Sequence, residues 1–175
     1  MADATMTSLR ELNEAGVERF VGALAEIFEH SPWVAERAYP RRPFDDVAQL
    51  HRAMVDVVNG AGRDAQVALL RAHPQLAGRE AQTGTLTGPS TQEQSSAGLS
   101  ALTRAEMERI TRFNAAYLAK FGFPFIVAVR NYTKRGILRE FERRLGHDAQ
   151  TEFATCLEQV YEIALIRLEA LLGEA

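Results

Sequence analysis

The chain has 175 residues, of which 46% are hydrophobic, and its 20 Lys and Arg against 23 Asp and Glu give a net charge of −3. A chain of this length can bury roughly two-thirds of its unfolded surface in one core without a metal or disulfide. The mixed charges exclude a basic face for nucleic acid. No apolar run reaches the ~18–20 residues that a membrane span needs.

A single cysteine, Cys156, can form no internal disulfide and lies within a helical pattern, which predicts a buried thiol in a reducing compartment. The first residues lack a secretory signal pattern, and the last residues lack a peroxisomal address. We therefore expect one cytoplasmic domain spanning residues 1–175, with a core over about 10–172.

Apolar residues recur with a period near 3.6 through most of the chain, which predicts helices. Caps and Gly or Pro stops set their limits. In chain order, the predicted helices run from an Asn13 cap through Phe28, from Ser31-Pro32 through Trp33, from Asp45 or Asp46 to Gly60, over 63–72, from Ser90 onward, from a Thr103 capping box to Gly122, from Thr133 to Gly146, and over 148–172. Only Phe125-Ile126-Val127-Ala128-Val129 reads as extended, and one short strand makes no sheet. The prediction is an all-α single-domain bundle of about eight helices with one short extended segment near 123–129.

Gly60-Ala61-Gly62-Arg63-Asp64-Ala65 matches a dinucleotide-binding loop. The segment before it is the end of a helical pattern rather than a strand, and no second strand follows. A turn between two helices accounts for the glycines better.

His73 ends a helix before Pro74 and a loop rich in Gly and Thr. Its ring can simply offset the last helix carbonyls, but its near-neutral pKa also suits proton transfer. The stretch Ser90-Thr91-Gln92-Glu93 reads as a capping box, and the same helix start can attract an anionic ligand. Both interpretations stay open on local grounds.

Arg167 interrupts an apolar seam of the last helix, between Ala164 and Leu171. At about 100° per residue it falls inside the apolar arc of that helix. An unpaired buried charge costs several kcal/mol, so the guanidinium must reach solvent or pair with an anion. If it pairs, its planar fork suits a carboxylate.

Metal binding is disfavoured, because the chain has no His-x-x-x-His pair and no cysteine cluster. Nucleophilic catalysis by Cys156 is disfavoured by its position within a helix, far from any histidine in sequence.

Several segments together carry a family resemblance. They are His30-Ser31-Pro32-Trp33-Val34-Ala35, 72–78 (AHPQLAG), 90–94 (STQEQ) with Ala97-Gly98-Leu99, Asn114-Ala115-Ala116-Tyr117, 120–126 (KFGFPFI) and 163–168 (IALIRL). In this order, over about residues 10–172, they resemble the 2-oxo-4-hydroxy-4-carboxy-5-ureidoimidazoline (OHCU) decarboxylases, the last enzymes on the route from urate to (S)-allantoin.

The resemblance implies an all-helical homodimer that uses no metal or organic cofactor and acts on the small molecule OHCU. It implies that His73, Glu93 and Arg167 are the catalytic residues. It adds a substrate pocket made by Pro74, Ser90, Thr91, Gln92, Glu93, Gln94, Phe125, Ile126, Val127, Ala128 and Val129. No position in these motifs departs from the family pattern.

Under this resemblance, Arg167 orients the substrate, and backbone N–H groups of 125–128 stabilise charge on its ring. His73, set by Glu93, then delivers a proton to one face of the carbanion. Two alternatives stay open: a ureide or amide hydrolase that uses the same His/Glu pair to activate water, and a non-catalytic helical partner of purine-catabolic enzymes.

Overall fold

The computed structural model describes residues 8–173, and within this range it contains ten α-helices, two short 3₁₀ helices and no strand. The α-helices are α1 Leu9–Glu14, α2 Val17–Leu24, α3 Trp33–Ala38, α4 Val47–Gly60, α5 Arg63–Arg71, α6 Arg79–Thr83, α7 Gly88–Ser96, α8 Arg104–Phe121, α9 Lys134–Leu145 and α10 Ala149–Leu172. The 3₁₀ helices are Tyr39–Arg41 and Val129–Asn131. The all-α prediction is confirmed. Short α1 and α6 bring the predicted eight helices to ten.

Contacts divide the chain into two compact units, and the first comprises the described residues up to Leu69 and from Tyr161 onward. In this unit α3 packs on α2 and α4. The predicted cap Asp46 accepts a hydrogen bond from the Gln49 N–H at 2.6 Å, as expected for a helix start.

Two predicted caps in the first unit are wrong. Asn13 lies inside α1 and bonds the backbone of Phe44, while Gly16 precedes α2. The Ser31 hydroxyl donates to the Glu29 carbonyl oxygen, so Pro32 alone begins α3. Both side chains find partners outside the helix that their position suggested: Asn13 bonds a distant segment, and Ser31 bonds the backbone two residues before it.

The second unit is Leu70–Val160. Here α8 packs on α9, and the Tyr117, Phe125 and Phe141 rings form its aromatic core, with Phe125 and Phe141 stacked at 3.8 Å. The predicted Thr103 capping box is present, and α8 ends at Gly122, whose φ of 78° favours a residue without Cβ. The predicted Thr133 cap of α9 is also present.

The predicted extended segment near 123–129 has no helix or strand over residues 124–128, and Val129 already belongs to a 3₁₀ helix. Within residues 8–173, no helix is long and apolar enough to cross a membrane. The terminal residues used for the localisation prediction lie partly outside this range.

Candidate active site

The loop that follows α5 carries His73, whose side chain is buried. The His73 N–H donates to the Leu70 carbonyl oxygen at 3.2 Å, and Pro74 prevents further helix. One residue of this loop needs outside support: Ala77 has a φ of +48°, a left-handed conformation that a residue with Cβ rarely adopts.

Side-chain amides supply that support. Gln94 of α7 accepts from the Ala77 N–H at 2.9 Å, and Gln82 donates to the Ala77 carbonyl oxygen at 3.2 Å. Asn114 of α8 donates to the Leu76 carbonyl oxygen at 2.9 Å. Among the described residues, the buried Oδ1 of Asn114 has no hydrogen-bond partner. Three elements thus fix the backbone that follows His73.

Helix α7 begins earlier than predicted. Thr87 is its N-cap and accepts from the Ser90 N–H at 3.4 Å, and Pro89 occupies the first turn. The capping box at Ser90 to Glu93 is therefore wrong, because Ser90 is already helical. Glu93 lies in the middle of the helix rather than at its start.

The predicted binding stretch of α7 divides between two helix faces. Ser90 and Gln94 are buried, and Glu93 is half-buried beside them, whereas Thr91 and Gln92 are exposed. This follows from helical periodicity, since residues at i, i+3 and i+4 share a face. The side chains of Thr91 and Gln92 do not share the face of Glu93.

A groove of about 470 Å³ lies where α7 packs against the 3₁₀ helix Val129–Asn131. Gln92, Ser96 and Ala97 line it from α7, and Val129, Arg130 and Tyr132 line it from the other side. Two predicted binding residues, Gln92 and Val129, therefore meet in the same groove.

The segment Phe125 to Ala128 is buried and is held by polar side chains along one side. Arg144 donates to the Ile126 carbonyl oxygen at 2.7 Å, and Gln159 accepts from the Ala128 N–H at 2.9 Å. The expectation that all N–H groups of 125–128 face a substrate is therefore wrong for Ala128. Its N–H is already bonded.

Arg144 belongs to a buried polar cluster with Glu152, Cys156, Tyr117 and His147. Its Nε and Nη2 lie 2.7 and 2.6 Å from Glu152 Oε1, and Nη2 lies 3.2 Å from Cys156 Sγ. The Tyr117 hydroxyl also donates to Glu152 Oε1, and His147 Nδ1 lies 2.8 Å from Oε2. The carboxylate is thus completely desolvated but fully bonded, as a buried charge requires.

Burial raises the pKa of two groups in this cluster. The pKa of the Cys156 thiol rises to about 11, so the thiol is neutral at physiological pH. Burial also raises the pKa of the Tyr117 hydroxyl well above its usual range. The prediction of a buried, unreactive Cys156 is confirmed as to burial.

Arg167 lies in the first unit, on α10, and is buried as its position on the apolar seam predicts. Its Nη1 donates to Glu29 Oε2 and to the Glu26 carbonyl oxygen, both at 2.8 Å. The sequence left open whether the guanidinium of Arg167 reaches solvent or pairs with an anion. The guanidinium pairs with a buried carboxylate of its own chain.

Within residues 8–173, no group of three or more His, Cys, Asp or Glu side chains is placed to hold a metal ion. Sequence reasoning missed Arg144, Gln159, Glu29 and Thr87. Thr87 carried a usable signal, since Thr before Gly-Pro is a common helix start. Glu29 carried none, because its partner lies 138 residues away.

The described residues define an all-helical protein in which each of the two units buries polar side chains. A family model for OHCU decarboxylase matches residues 13–169. The chain is 44% identical over 161 residues to the 2-oxo-4-hydroxy-4-carboxy-5-ureidoimidazoline decarboxylase of Haloferax volcanii, and the match covers 92% of this chain and 94% of that protein.

Some longer proteins contain a segment that is similar to this chain. A uric acid degradation bifunctional protein of Bacillus sp. (strain TB-90) is 40% identical over 172 residues, which is 33% of its length. A crystal structure of (S)-allantoin synthase matches with a TM-score of 0.78 and 32% identity, covering 96% of this chain and 54% of that one. This chain therefore spans about half the length of that structure. The chain belongs to the OHCU decarboxylase family.

Proposed function

We propose that this chain decarboxylates OHCU and protonates the resulting carbanion on one face to give (S)-allantoin, the final step of urate conversion to allantoin. The observation that carries the proposal is the 44% identity to a protein of that name over 92% of this chain and 94% of its own length. Function on a shared fold depends on the site, so the residues must also account for the chemistry.

The substrate carries its carboxylate on a ring carbon that also bears a hydroxyl. When the carbon–carbon bond breaks, CO2 leaves, and the electron pair passes into the adjacent C=N and C=O groups of the ring. The protein then has to orient the carboxylate, stabilise the delocalised charge, and supply one proton to carbon. Electrostatic groups aimed at the developing charge commonly provide the largest share of such catalysis.

In this proposal His73 handles the proton, because imidazole takes up and releases protons near neutral pH. Its supports are rigid: Pro74 follows it, and Gln94 and Asn114 fix the backbone at Leu76 and Ala77. Glu93, half-buried on the same α7 face as Gln94, sets the orientation of the imidazole. Delivery from one side gives the (S) product.

Arg167 orients the substrate through an oxygen anion, since a guanidinium offers a planar fork of donors. Glu29 holds its Nη1 at 2.8 Å, which limits the rotamers of the long side chain before substrate binds. The remaining binding groups of the proposal are Pro74, Ser90, Thr91, Gln92, Gln94 and the backbone of 125–129, apart from the Ala128 N–H, which donates to Gln159.

Three further parts of the proposal concern the whole molecule: a single cooperative domain, a homodimer and a cytoplasmic location. The family resemblance supports the homodimer, and the length of the chain supports the single domain. Sedimentation equilibrium at micromolar concentration should give twice the mass of 19.4 kDa, and a monomer would remove the dimer from the proposal. One cooperative thermal transition would support the single domain.

Substrate labelled with ¹³C in the carboxylate tests the reaction itself. We expect the protein to accelerate release of labelled CO2 while the ureido group stays on the product. A hydrolase would instead release ammonia or a carbamate with the label retained on carbon. A non-catalytic partner would leave the uncatalysed rate unchanged.

A further inference from the structure

Polar side chains of α9 and α10 bond the backbone of residues 126 to 128. The Ile126 carbonyl oxygen accepts from Arg144 Nη1 at 2.7 Å, and two residues later the Ala128 N–H donates to Gln159 Oε1 at 2.9 Å. Burial raises the pKa of Cys156, and the Ile126 N–H opposes this rise by donating to the sulfur. Cys156 and Gln159 are three residues apart on α10, so they share one helix face.

Peptide geometry then fixes the direction of Val127. In a planar trans peptide, the C=O of one residue and the N–H of the next point in opposite directions. Because the Ile126 C=O faces Arg144, the Val127 N–H faces away from it. Because the Ala128 N–H faces Gln159, the Val127 C=O faces away as well.

Val127 therefore presents a donor and an acceptor that both face away from Arg144 on α9 and Gln159 on α10. Val127 is buried, and within residues 8–173 its N–H has no hydrogen-bond partner. A buried, unbonded N–H costs free energy comparable to a lost hydrogen bond, and such groups are rare. A ligand that carries an adjacent C=O and N–H satisfies both groups at once, as a lactam or ureide does.

We propose that Arg144 and Gln159 are positioning residues that turn the Val127 N–H and C=O toward the ring amide of the substrate. The inference rests on the proposed function, since it names the part of that substrate which the backbone of Val127 recognises. Neither side chain touches substrate.

The surroundings of Arg144 suit this role. Its guanidinium uses Nε and Nη2 for Glu152 and Cys156 and Nη1 for the Ile126 C=O, and it lies 4.3 Å from the centre of the Phe125 ring. The planar guanidinium of Arg144 is thus held by three different hydrogen-bond partners, which fixes its orientation. A lysine at this position keeps the charge for Glu152, but a single ammonium cannot hold the carbonyl in the same geometry.

Gln159 gives the cleaner test, because it is neutral and only part-buried, so its loss leaves no buried charge. Gln159→Leu removes the acceptor for the Ala128 N–H, whereas Gln159→Glu keeps an oxygen there. We expect kcat to fall about tenfold in Gln159→Leu and to stay within about threefold in Gln159→Glu. KM should change less than kcat, because the lost alignment matters most in the transition state.

Arg144→Lys should lower kcat by about ten- to a hundredfold. Exposed neighbours on the same two helices serve as controls: Arg139→Lys on α9 and Glu158→Gln on α10 should keep both kcat and KM. Amide hydrogen exchange provides a readout that does not depend on turnover. The Ala128 amide should exchange at least about tenfold faster in Gln159→Leu than in wild type and in Gln159→Glu.

The outcomes separate this inference from the proposed function. An inactive wild-type protein would overturn both. An active wild type whose Gln159→Leu and Arg144→Lys variants keep normal kcat would overturn only the positioning role. An equal loss of kcat in Gln159→Leu and Gln159→Glu, with unchanged Ala128 exchange, would also overturn it.

Discussion

Two buried ion pairs within residues 8–173, Arg144–Glu152 and Arg167–Glu29, have the same chemistry but different surroundings. Arg144 and Glu152 are eight residues apart and share their cluster with Cys156, Tyr117 and His147. Arg167 and Glu29 are 138 residues apart and join α10 to the segment that follows α2.

The comparison shows how one side-chain type can serve two purposes. Arg144 donates one hydrogen bond to the Ile126 carbonyl oxygen and so positions the backbone of that segment. Arg167, in our proposal, is held by Glu29 and acts on the substrate. Burial of an arginine therefore identifies a candidate, and its bonding partners decide whether it positions the backbone or serves the ligand.

The largest expected loss of kcat among the variants is that of His73, and the effects of the arginine variants can be compared with it. His73→Asn should lower kcat by about 10²–10⁴, the usual range for loss of general acid–base help, with the fold retained. His30→Asn is the matched control, because His30 is exposed and its φ of 47° suits asparagine. Progress curves and far-UV circular dichroism on both variants check this. Near-normal turnover in His73→Asn would remove it from the mechanism.

Loss of either arginine should destabilise the protein, because each leaves a buried carboxylate behind. We expect Arg167→Met and Arg144→Met each to lower the free energy of unfolding by about 3–5 kcal/mol. Adding Glu29→Gln to the first or Glu152→Gln to the second should restore part of this loss. Denaturant titrations of the single and double variants measure the recovery. If Arg167→Met were as stable as wild type, the Glu29 pair would contribute nothing to the fold.

Arg167→Lys separates the substrate role from the structural one. The ammonium can still pair with Glu29, so we expect little change in stability. A point charge cannot reproduce a planar two-donor contact, so kcat/KM should fall by about a hundredfold. Steady-state kinetics and thermal melts on the same sample decide the matter. Normal kcat/KM would make Arg167 a structural residue only.

Cys156 reports on the surroundings of Arg144. Burial raises its pKa from the ordinary value of 9.0 to about 11, so at pH 8 the native thiolate population should be about a hundredfold below that of the unfolded chain. The stabilisation from this neutral thiol is fully present below pH 9 and is lost as pH rises toward 11. Iodoacetamide labelling should therefore be far slower in native protein. Equal rates would place the thiol in solvent.

Variants in and next to helix α7 should have the smallest effects, and one of them tests the catalytic role of Glu93. Thr87→Ala should cost about 1 kcal/mol of stability, because it removes the N-cap, and should leave kcat nearly unchanged. Glu93→Gln should lower kcat with little loss of stability, since the N-cap of α7 is Thr87 and Glu93 lies in the middle of the helix. If Glu93→Gln changed only the melting temperature, its catalytic role would be excluded.

Much of the fold follows from local rules. The caps Asp46, Thr103 and Thr133 and the stop at Gly122 are where the sequence predicts them, because each bond is made within four residues. Helices α1 and α6 were missed, since six and five residues show no clear apolar period. The caps at Asn13 and Ser31 failed because distant or non-helical partners took those side chains.

The candidate site was only partly predictable. Arg167 is identified by its position inside the apolar arc of α10. The same argument applies to Arg144 on α9, because at ~100° per residue Arg144 lies about 20° from Ile137 around the helix. The partners Glu29 and Gln159 could not be found, because nothing local relates them to Arg167 or to Ala128. Long-range pairs depend on the fold itself.

The central claim, that this chain makes (S)-allantoin from OHCU, is tested most directly by circular dichroism of freshly generated urate-oxidation products. With wild-type protein we predict rapid appearance of the (S)-allantoin signal, at a rate that rises with protein concentration and persists with a chelator present. His73→Asn at the same concentration should give a much slower signal. Racemic allantoin formed at the uncatalysed rate with wild-type protein would contradict the claim.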